Sequence, residues 1–256
     1  MRLLPNLPTN ANVLICGASQ GIGLALCTAL LARDDVQQVC AVSRQATRSS
    51  QLAVLAEQQG QRLLRIDCDA RDEQSLAALT HTISARCDHL HLVISTLGIL
   101  QHEGARAEKS LAQLDLAGLQ ASFTLNSFAP VLLLKHLLPL LRRQPATFAA
   151  LSARVGSIGD NHLGGWYSYR ASKAALNQLL HTASIELKRL NPASTVLLLH
   201  PGTTDTRLSQ PFQANVPAEQ LFSPGFAAQC ILEQVACHGP AESGTFWAWD
   251  GQPIKW

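Results

Sequence analysis

Tyr169 and Lys173 stand four residues apart in Trp166-Tyr167-Ser168-Tyr169-Arg170-Ala171-Ser172-Lys173, a spacing that puts both side chains on one face of a helix. A phenol with a pKa of about 10 exchanges protons poorly at neutral pH, and a neighbouring ammonium favours the phenolate and brings it into range. The pair is a candidate acid/base. Only two tyrosines occur in the chain, and Tyr167 has Ala171 at the matching offset, so the pairing falls on Tyr169. A second group suits phosphate. In Gly17-Ala18-Ser19-Gln20-Gly21-Ile22-Gly23 the glycines permit a tight turn, and backbone amides along it can approach a pyrophosphate at a helix N-terminus.

About 20 residues beyond such a turn, dinucleotide folds read the adenosine ribose, and an Asp or Glu there accepts from the hydroxyls of NAD. This chain has Ser43 and Arg44 instead. The charge and planar fork of Arg44 suit a 2′-phosphate, and no carboxylate stands at that strand end to repel one, so NADP(H) is expected ahead of NAD(H). Further on, Asp67-Cys68-Asp69-Ala70 offers a carboxylate to the adenine amino group. Both aspartates remain open, with Asp69 carried forward as the cofactor residue.

The elements that must position these groups follow from short aliphatic runs alternating with segments of helical period, which is the pattern of βαβ units around a parallel sheet. Seven strands are expected, at Val13–Cys16, Val39–Ser43, Leu63–Ile66, Leu92–Thr96, Thr147–Ser152, Thr195–His200 and Thr245–Trp249. Between the first two, Ile22–Ala32 is apolar at nearly every position, as a helix pressed onto a sheet requires. Ser49–Gln59 is more amphipathic, and Gly60 ends it as a C-cap glycine would. The fold expected is α/β, a single-domain Rossmann-type doubly wound sheet with helices on both faces over residues 1–256. Gln101–Ser110 and Thr203–Ser223 carry the weakest pattern, and the latter, with Pro211, Pro217 and Phe212, reads as a flexible flap over a ligand.

Composition narrows the function classes. The chain is 47% hydrophobic and 15% charged, as a sheet buried on both faces demands. A net charge of +2 with scattered basic residues argues against a nucleic-acid partner. Seven cysteines without Cys-x-x-Cys pairs or histidines at ligand spacing indicate neither a disulfide framework nor a metal site, and fit a reducing compartment. Met1–Asn10 has no apolar segment of signal length, and Phe128–Leu141, the longest apolar run, is broken by Lys135, His136 and Pro139. A cytoplasmic protein with no membrane association is expected.

The glycine turn together with the Tyr169/Lys173 pair resembles the short-chain dehydrogenase/reductase family, and the resemblance runs from the first strand to Trp256. Asn126 in Leu125-Asn126-Ser127 and the segment Pro201-Gly202-Thr203-Thr204-Asp205-Thr206 match further family positions. Ser152-Ala153-Arg154-Val155-Gly156-Ser157-Ile158-Gly159-Asp160-Asn161 and the ending Trp249-Asp250-Gly251 are similar to the C-factor-like carbonyl reductase subgroup. The resemblance implies that Tyr169 gives a proton to the substrate oxygen, that Lys173 holds the nicotinamide ribose and tunes Tyr169, and that Asn126 completes a water-linked proton relay. It further implies that Gly98 and the residues after Pro201, with Gly202, Thr203 and Thr206, meet the cofactor. A small-molecule carbonyl or alcohol is the implied substrate, and a homodimer or homotetramer the implied assembly.

Three departures stand out. Cys16 replaces a threonine before the first glycine, and Ser95-Thr96-Leu97-Gly98 replaces Asn-Asn-Ala-Gly, so hydroxyls must brace that strand in place of amides. The family's catalytic serine is usually the second of two, a place held here by Ala153. Ser152 is the favoured substitute and Ser157 the other candidate. An insertion around Asp160–Gly164 lengthens the interval to Tyr169. The missing serine also admits a cofactor-binding signalling or sensor protein with weak or lost catalysis. An epimerase or dehydratase of the extended branch fits less well, because it normally carries a larger substrate domain than the roughly 50 residues after Pro201. Leu163, Trp166, Phe212 and Phe222 are candidates to line an apolar substrate pocket.

Overall fold

Residues whose side chains alternate between two buried faces build the centre of the protein. Leu14, Cys16, Cys40, Val42, Val93, Phe148, Ala150, Val196 and Leu198 belong to one apolar cluster, and Val13, Ile15, Val39, Ala41, Leu92, Ile94, Ala149, Leu197 and Leu199 to another on the opposite face. A strand can serve both clusters only if it is covered on both sides, which is the condition that favours a parallel sheet. Each fully buried Leu, Ile or Val here contributes roughly 1.5–3 kcal/mol.

The computed structural model describes residues 3–4 and 10–256. The reading of Met1–Asn10 as free of a signal segment concerns residues that mostly lie outside that range. The strands are β1 (Ala11–Cys16), β2 (Val36–Ser43), β3 (Leu63–Asp67), β4 (Leu92–Ser95), β5 (Ala146–Leu151), β6 (Ser194–His200), β7 (Thr203–Thr204), β8 (Leu221–Phe222) and β9 (Thr245–Ala248). Seven of them form one parallel sheet in the order β3-β2-β1-β4-β5-β6-β9. All seven expected strands are present with ends moved by a few residues. The chain reverses direction across the sheet between β1 and β4, and the crevice beyond their carboxyl ends is where such folds take ligands.

The helices are α1 (Gly21–Leu31), α2 (Ser50–Gln59), α3 (Glu73–Ser84), α4 (Leu116–Phe123), α5 (Ala129–Leu141), α6 (Tyr167–Leu190) and α7 (Pro224–Cys237). Ser49 caps α2 by accepting from the Leu52 amide, and Gly60 closes it with φ +55, as expected. A π-helical turn at Thr124–Phe128 joins α4 to α5 and carries Asn126, which is fully buried. Such bulges misalign the backbone ladder and tend to occur at functional sites. By length and composition the continuous run Leu116–Leu141 is apolar enough to cross a membrane. Its Leu133, Leu134 and Leu137 instead lie in the first apolar cluster against the sheet.

The region read as a flap is not featureless. β7 and β8 pair across its base, and 3₁₀ turns at Gln210–Asn215 and Ala218–Gln220 fold the residues between them.

Candidate active site

A cleft of about 1010 Å³ opens at the carboxyl edge of the sheet, at the β1/β4 crossing. Gly17, Ser19, Gln20, Gly21, Ile22 and Gly23 form its floor at one end. Gly17 has φ +94, and a Cβ there would meet the Thr96 hydroxyl at 2.3 Å. A Cβ on Gly23 would come within 2.2 Å of the Gly17 carbonyl oxygen, so the turn can close this tightly only with glycine. No side chain caps the N-terminus of α1, and no acidic residue lies in its first turn. Its free amides and the positive end of its dipole suit a pyrophosphate, and the missing Cβ atoms leave room for one.

Of the two hydroxyls expected to brace the strand, Thr96 does so, and the buried Ser95 hydroxyl has no hydrogen-bond partner among the described residues. Thr96 Oγ1 donates to the Cys16 carbonyl at 3.0 Å and lies 3.3 Å from that of Gly17, tying β4 to the turn. Gly98 also lines the cleft, as do Pro201, Gly202, Thr203 and Thr206 on the far wall. Thr206 reaches back to the glycine turn, its Cγ2 lying 3.2 Å from the position a Gly21 Cβ would take.

At the end of the cleft beside β2 and β3, Ser43, Arg44 and Asp69 line it. Asp67 faces elsewhere, accepting from the Thr47 amide at 2.8 Å and from the Thr47 hydroxyl. One expectation needs correction. The sequence around residues 43–44 shows no carboxylate, yet Glu103, 59 residues later in the chain, accepts from both terminal nitrogens of Arg44 at 3.0 and 2.7 Å. Tertiary folding brings the loop after β4 across to β2, which no local reading of residues 43–44 contains.

Tyr169 and Lys173 both lie on the buried face of α6 and line the cleft, 6% and 2% exposed. The Lys173 ammonium stands 5.9 Å from the centre of the Tyr169 ring and donates to the Leu151 carbonyl at 2.8 Å. The expected lowering of the phenol does not occur in the chain by itself. Burial pushes the Tyr169 phenol above its ordinary value and pushes Lys173 down to about 7, because desolvation disfavours both charged forms.

This has a consequence for stability. The unfolded chain holds the Lys173 proton up to about pH 10.4, whereas the folded chain releases it near 7. Between those values the unfolded state binds more protons, so stability rises with pH across that window. Tyr169, raised instead, is neutral in both states until about pH 10 and contributes nothing there. Thermal melts of the cofactor-free protein from pH 6 to 9 are expected to rise more steeply than those of Lys173→Met; parallel profiles would contradict it.

Asn126 sits behind the cleft wall. Its Oδ1 accepts from the Ile99 amide at 2.7 Å, and its Nδ2 donates to the Ile99 carbonyl at 3.0 Å and the Ser172 hydroxyl at 2.9 Å. A Cβ on Gly98 would stand 3.6 Å from Lys173 Nζ and 3.8 Å from Asn126 Oδ1, so the two polar groups border one small space. Ser152 and Ala153 both line the cleft at the end of β5. The Ser152 hydroxyl donates to Asn177 Oδ1 at 2.6 Å. Ser157 does not line the cleft, and its buried hydroxyl accepts from the Asp160 amide at 3.2 Å.

Of the four apolar candidates, two meet the cleft. Trp166 and Phe212 line it with ring centres 5.0 Å apart, and Trp166 meets Tyr169 edge-on. Leu163 is 93% exposed. Phe222 packs between Phe226 and Trp249, where the absence of a Gly202 side chain admits its ring.

Glu108 lies in the stretch with the weakest sequence pattern, yet it supports the site. Its side chain is buried and accepts from the Ser168 amide at 3.2 Å and from the Ser168 hydroxyl, while its carbonyl accepts from the Trp166 amide. A carboxylate thus caps the helix that presents Tyr169. The α6 N-cap, Trp166, has no capping side chain of its own and sits in the left-handed region at φ +53. No local signal marks Glu108, because its partners are 60 residues away.

The comparisons agree with this geometry. Residues 11–217 match the family described as short chain dehydrogenase. The chain is 28% identical over 248 residues, 96% of its length and 100% of the relative's, to 1-hydroxy-2-glutathionyl-2-methyl-3-butene dehydrogenase of Rhodococcus sp. (strain AD45). It is 32% identical over 149 residues, 57% of its length and 84% of the relative's, to the C-signal protein of Myxococcus xanthus. The crystal structure of NADPH-bound carbonyl reductase from chicken fatty liver superposes with a TM-score of 0.85 at 26% identity, covering 97% of this chain and 100% of that one. With the glycine cradle and the buried Tyr169/Lys173 pair in one cleft, the chain belongs to the short-chain dehydrogenase/reductase family of oxidoreductases.

Proposed function

We propose that the protein is an NADP(H)-dependent carbonyl reductase acting on a small aldehyde or ketone. The observation that carries this reading is the presence of the Tyr169/Lys173 pair and the glycine cradle in one continuous cleft. Bound along it, a nicotinamide dinucleotide supplies the hydride. The turn from Gly17 to Gly23 and the α1 N-terminus hold its pyrophosphate, Ser43, Arg44 and Asp69 its adenosine end, and Gly98 with Pro201, Gly202, Thr203 and Thr206 its nicotinamide end.

Tyr169 donates its phenolic proton to the carbonyl oxygen. Burial suits it to this direction, since a raised phenol reaches the substrate protonated. Lys173, anchored on Leu151, meets the nicotinamide ribose, and with Asn126 it borders the space through which a water returns the proton. Trp166 and Phe212 give the substrate an apolar wall.

Ser152 takes the orienting role at Ala153's expense. Its proton is engaged with Asn177 Oδ1, and rotation of the hydroxyl about the Cβ–Oγ bond would exchange that acceptor for the substrate oxygen while Asn177 keeps its contact with the Gly156 carbonyl. Ser152→Ala is expected to lower kcat/KM by about 10²- to 10³-fold, the size of a lost hydrogen bond to a developing charge, with NADPH affinity unchanged. Full activity in that variant would remove Ser152 from the mechanism. The reading as a whole is tested by following NADPH consumption across a panel of aldehydes and ketones. Tight NADPH binding with no turnover on any of them would favour a sensor role instead.

A further inference from the structure

Two arginines, not one, converge on the Glu103 carboxylate at the adenosine end of the cleft. Arg44, after β2, grips it with both terminal nitrogens at 3.0 and 2.7 Å. Arg71, after β3, donates to it from Nη1 at 2.9 Å. Arg71 is itself fixed by Asp69, through Nε at 2.9 Å and Nη2 at 2.6 Å. Glu103 arrives on the loop after β4 with its backbone in the left-handed region, φ +53, followed by Gly104 at φ +92. Three strand ends therefore deliver two cations, Arg44 and Arg71, and two carboxylates, Glu103 and Asp69, to one cluster, of which Arg44 and Asp69 line the cleft.

We propose that Arg44 and Arg71 form one two-armed site for the cofactor's 2′-phosphate, and that Glu103 fills it with its own carboxylate until that phosphate displaces it. This rests on the NADP(H) reading above. A planar guanidinium pair recognises tetrahedral phosphate as readily as carboxylate, and a monoester phosphate brings more charge and a third oxygen. Arg44 and Arg71 also hold Glu103 below the usual carboxylate range, so it remains an anion at neutral pH. Once displaced, Glu103 can hydrate, since its side chain is already 40% exposed. A nucleotide without the 2′-phosphate offers nothing to take the carboxylate's place. Glu103 thus competes directly with the 2′-phosphate for the two arginines, lowering affinity for a phosphate-bearing dinucleotide while leaving one without it nearly unaffected, and it does so without touching the reacting atoms.

The test uses calorimetric titration of the full chain with 2′,5′-ADP and 5′-AMP, which differ only in the 2′-phosphate. Unmodified protein is expected to prefer 2′,5′-ADP. Arg71→Met is expected to lose about 10-fold for 2′,5′-ADP and almost nothing for 5′-AMP, the loss of one charge-assisted contact. Glu103→Gln is expected to gain about 3- to 10-fold for 2′,5′-ADP, because the competitor loses its charge. Preference in the unmodified protein with neither substitution shifting it would overturn the two-armed site and leave the NADP(H) reading intact. Weaker 5′-AMP binding in Glu103→Gln would overturn the competitor role, marking Glu103 as a ribose ligand. No preference in the unmodified protein would sink both readings.

Discussion

Tyr169→Phe is expected to cut carbonyl reduction by about 10²–10⁴-fold, the range for removing a positioned general acid, while NADPH affinity stays within about twofold. The substitution removes one hydroxyl and keeps the ring. The edge-on contact with Trp166, at 6.2 Å between centres, survives it, and so does the apolar seat on the buried face of α6. Binding should therefore persist while the proton transfer fails, and the kinetic signature is a fall in kcat without a matching rise in KM. The expected profile follows from the electrostatics. Burial holds the phenol protonated across the neutral range, so it serves as a donor and needs no prior deprotonation. Residual turnover of a tenth or more would mean that another group, Ser152 being the nearest in role, delivers the proton.

What the sequence made legible, and what it hid, divides by distance along the chain. The Tyr169/Lys173 pair is local, since four residues of helix put both groups on one face. The glycine turn is local too, and its demands on φ and on close approach fall on the glycines themselves. Strands buried on both faces read as continuous apolar runs, and all seven were visible for that reason. The misses depend on tertiary approach. Glu103 meets Arg44 only because loops from two strand ends converge. Phe222 turns to Trp249 and Phe226 because β8 pairs with β7, a ribbon of two residues on each side that no periodicity announces. Proximity to a cation alone predicts a lowered Tyr169 pKa, but in this fold the cation is as buried as the phenol and desolvation governs both.

Glu108 is the sharpest case of such long-range dependence, and it carries the second large prediction. The entrance to α6 runs through Gly164, Gly165 and Trp166, all at positive φ, and provides no cap of its own. The Glu108 side chain supplies the missing acceptor for the Ser168 amide and hydroxyl, one residue before Tyr169. Glu108→Ala leaves these buried donors without a partner and strips the helix of a capping charge, so a loss of about 2–4 kcal/mol in unfolding free energy is expected. Glu108→Gln keeps one acceptor, for the Ser168 amide, and turns its NH2 toward the Ser168 hydroxyl, which must then accept; the charge and one accepted bond are lost, for about 1–2 kcal/mol. Activity should follow the same order. A frayed first turn moves the phenol relative to Lys173, so kcat falls, whereas the glycine turn lies on a different helix and NADPH affinity holds. Urea midpoints and kcat for the two variants measure both effects. An alanine variant that loses less than about 0.5 kcal/mol, the scale of an ordinary surface change, would mean that the carboxylate merely fills space beside a helix end that holds itself.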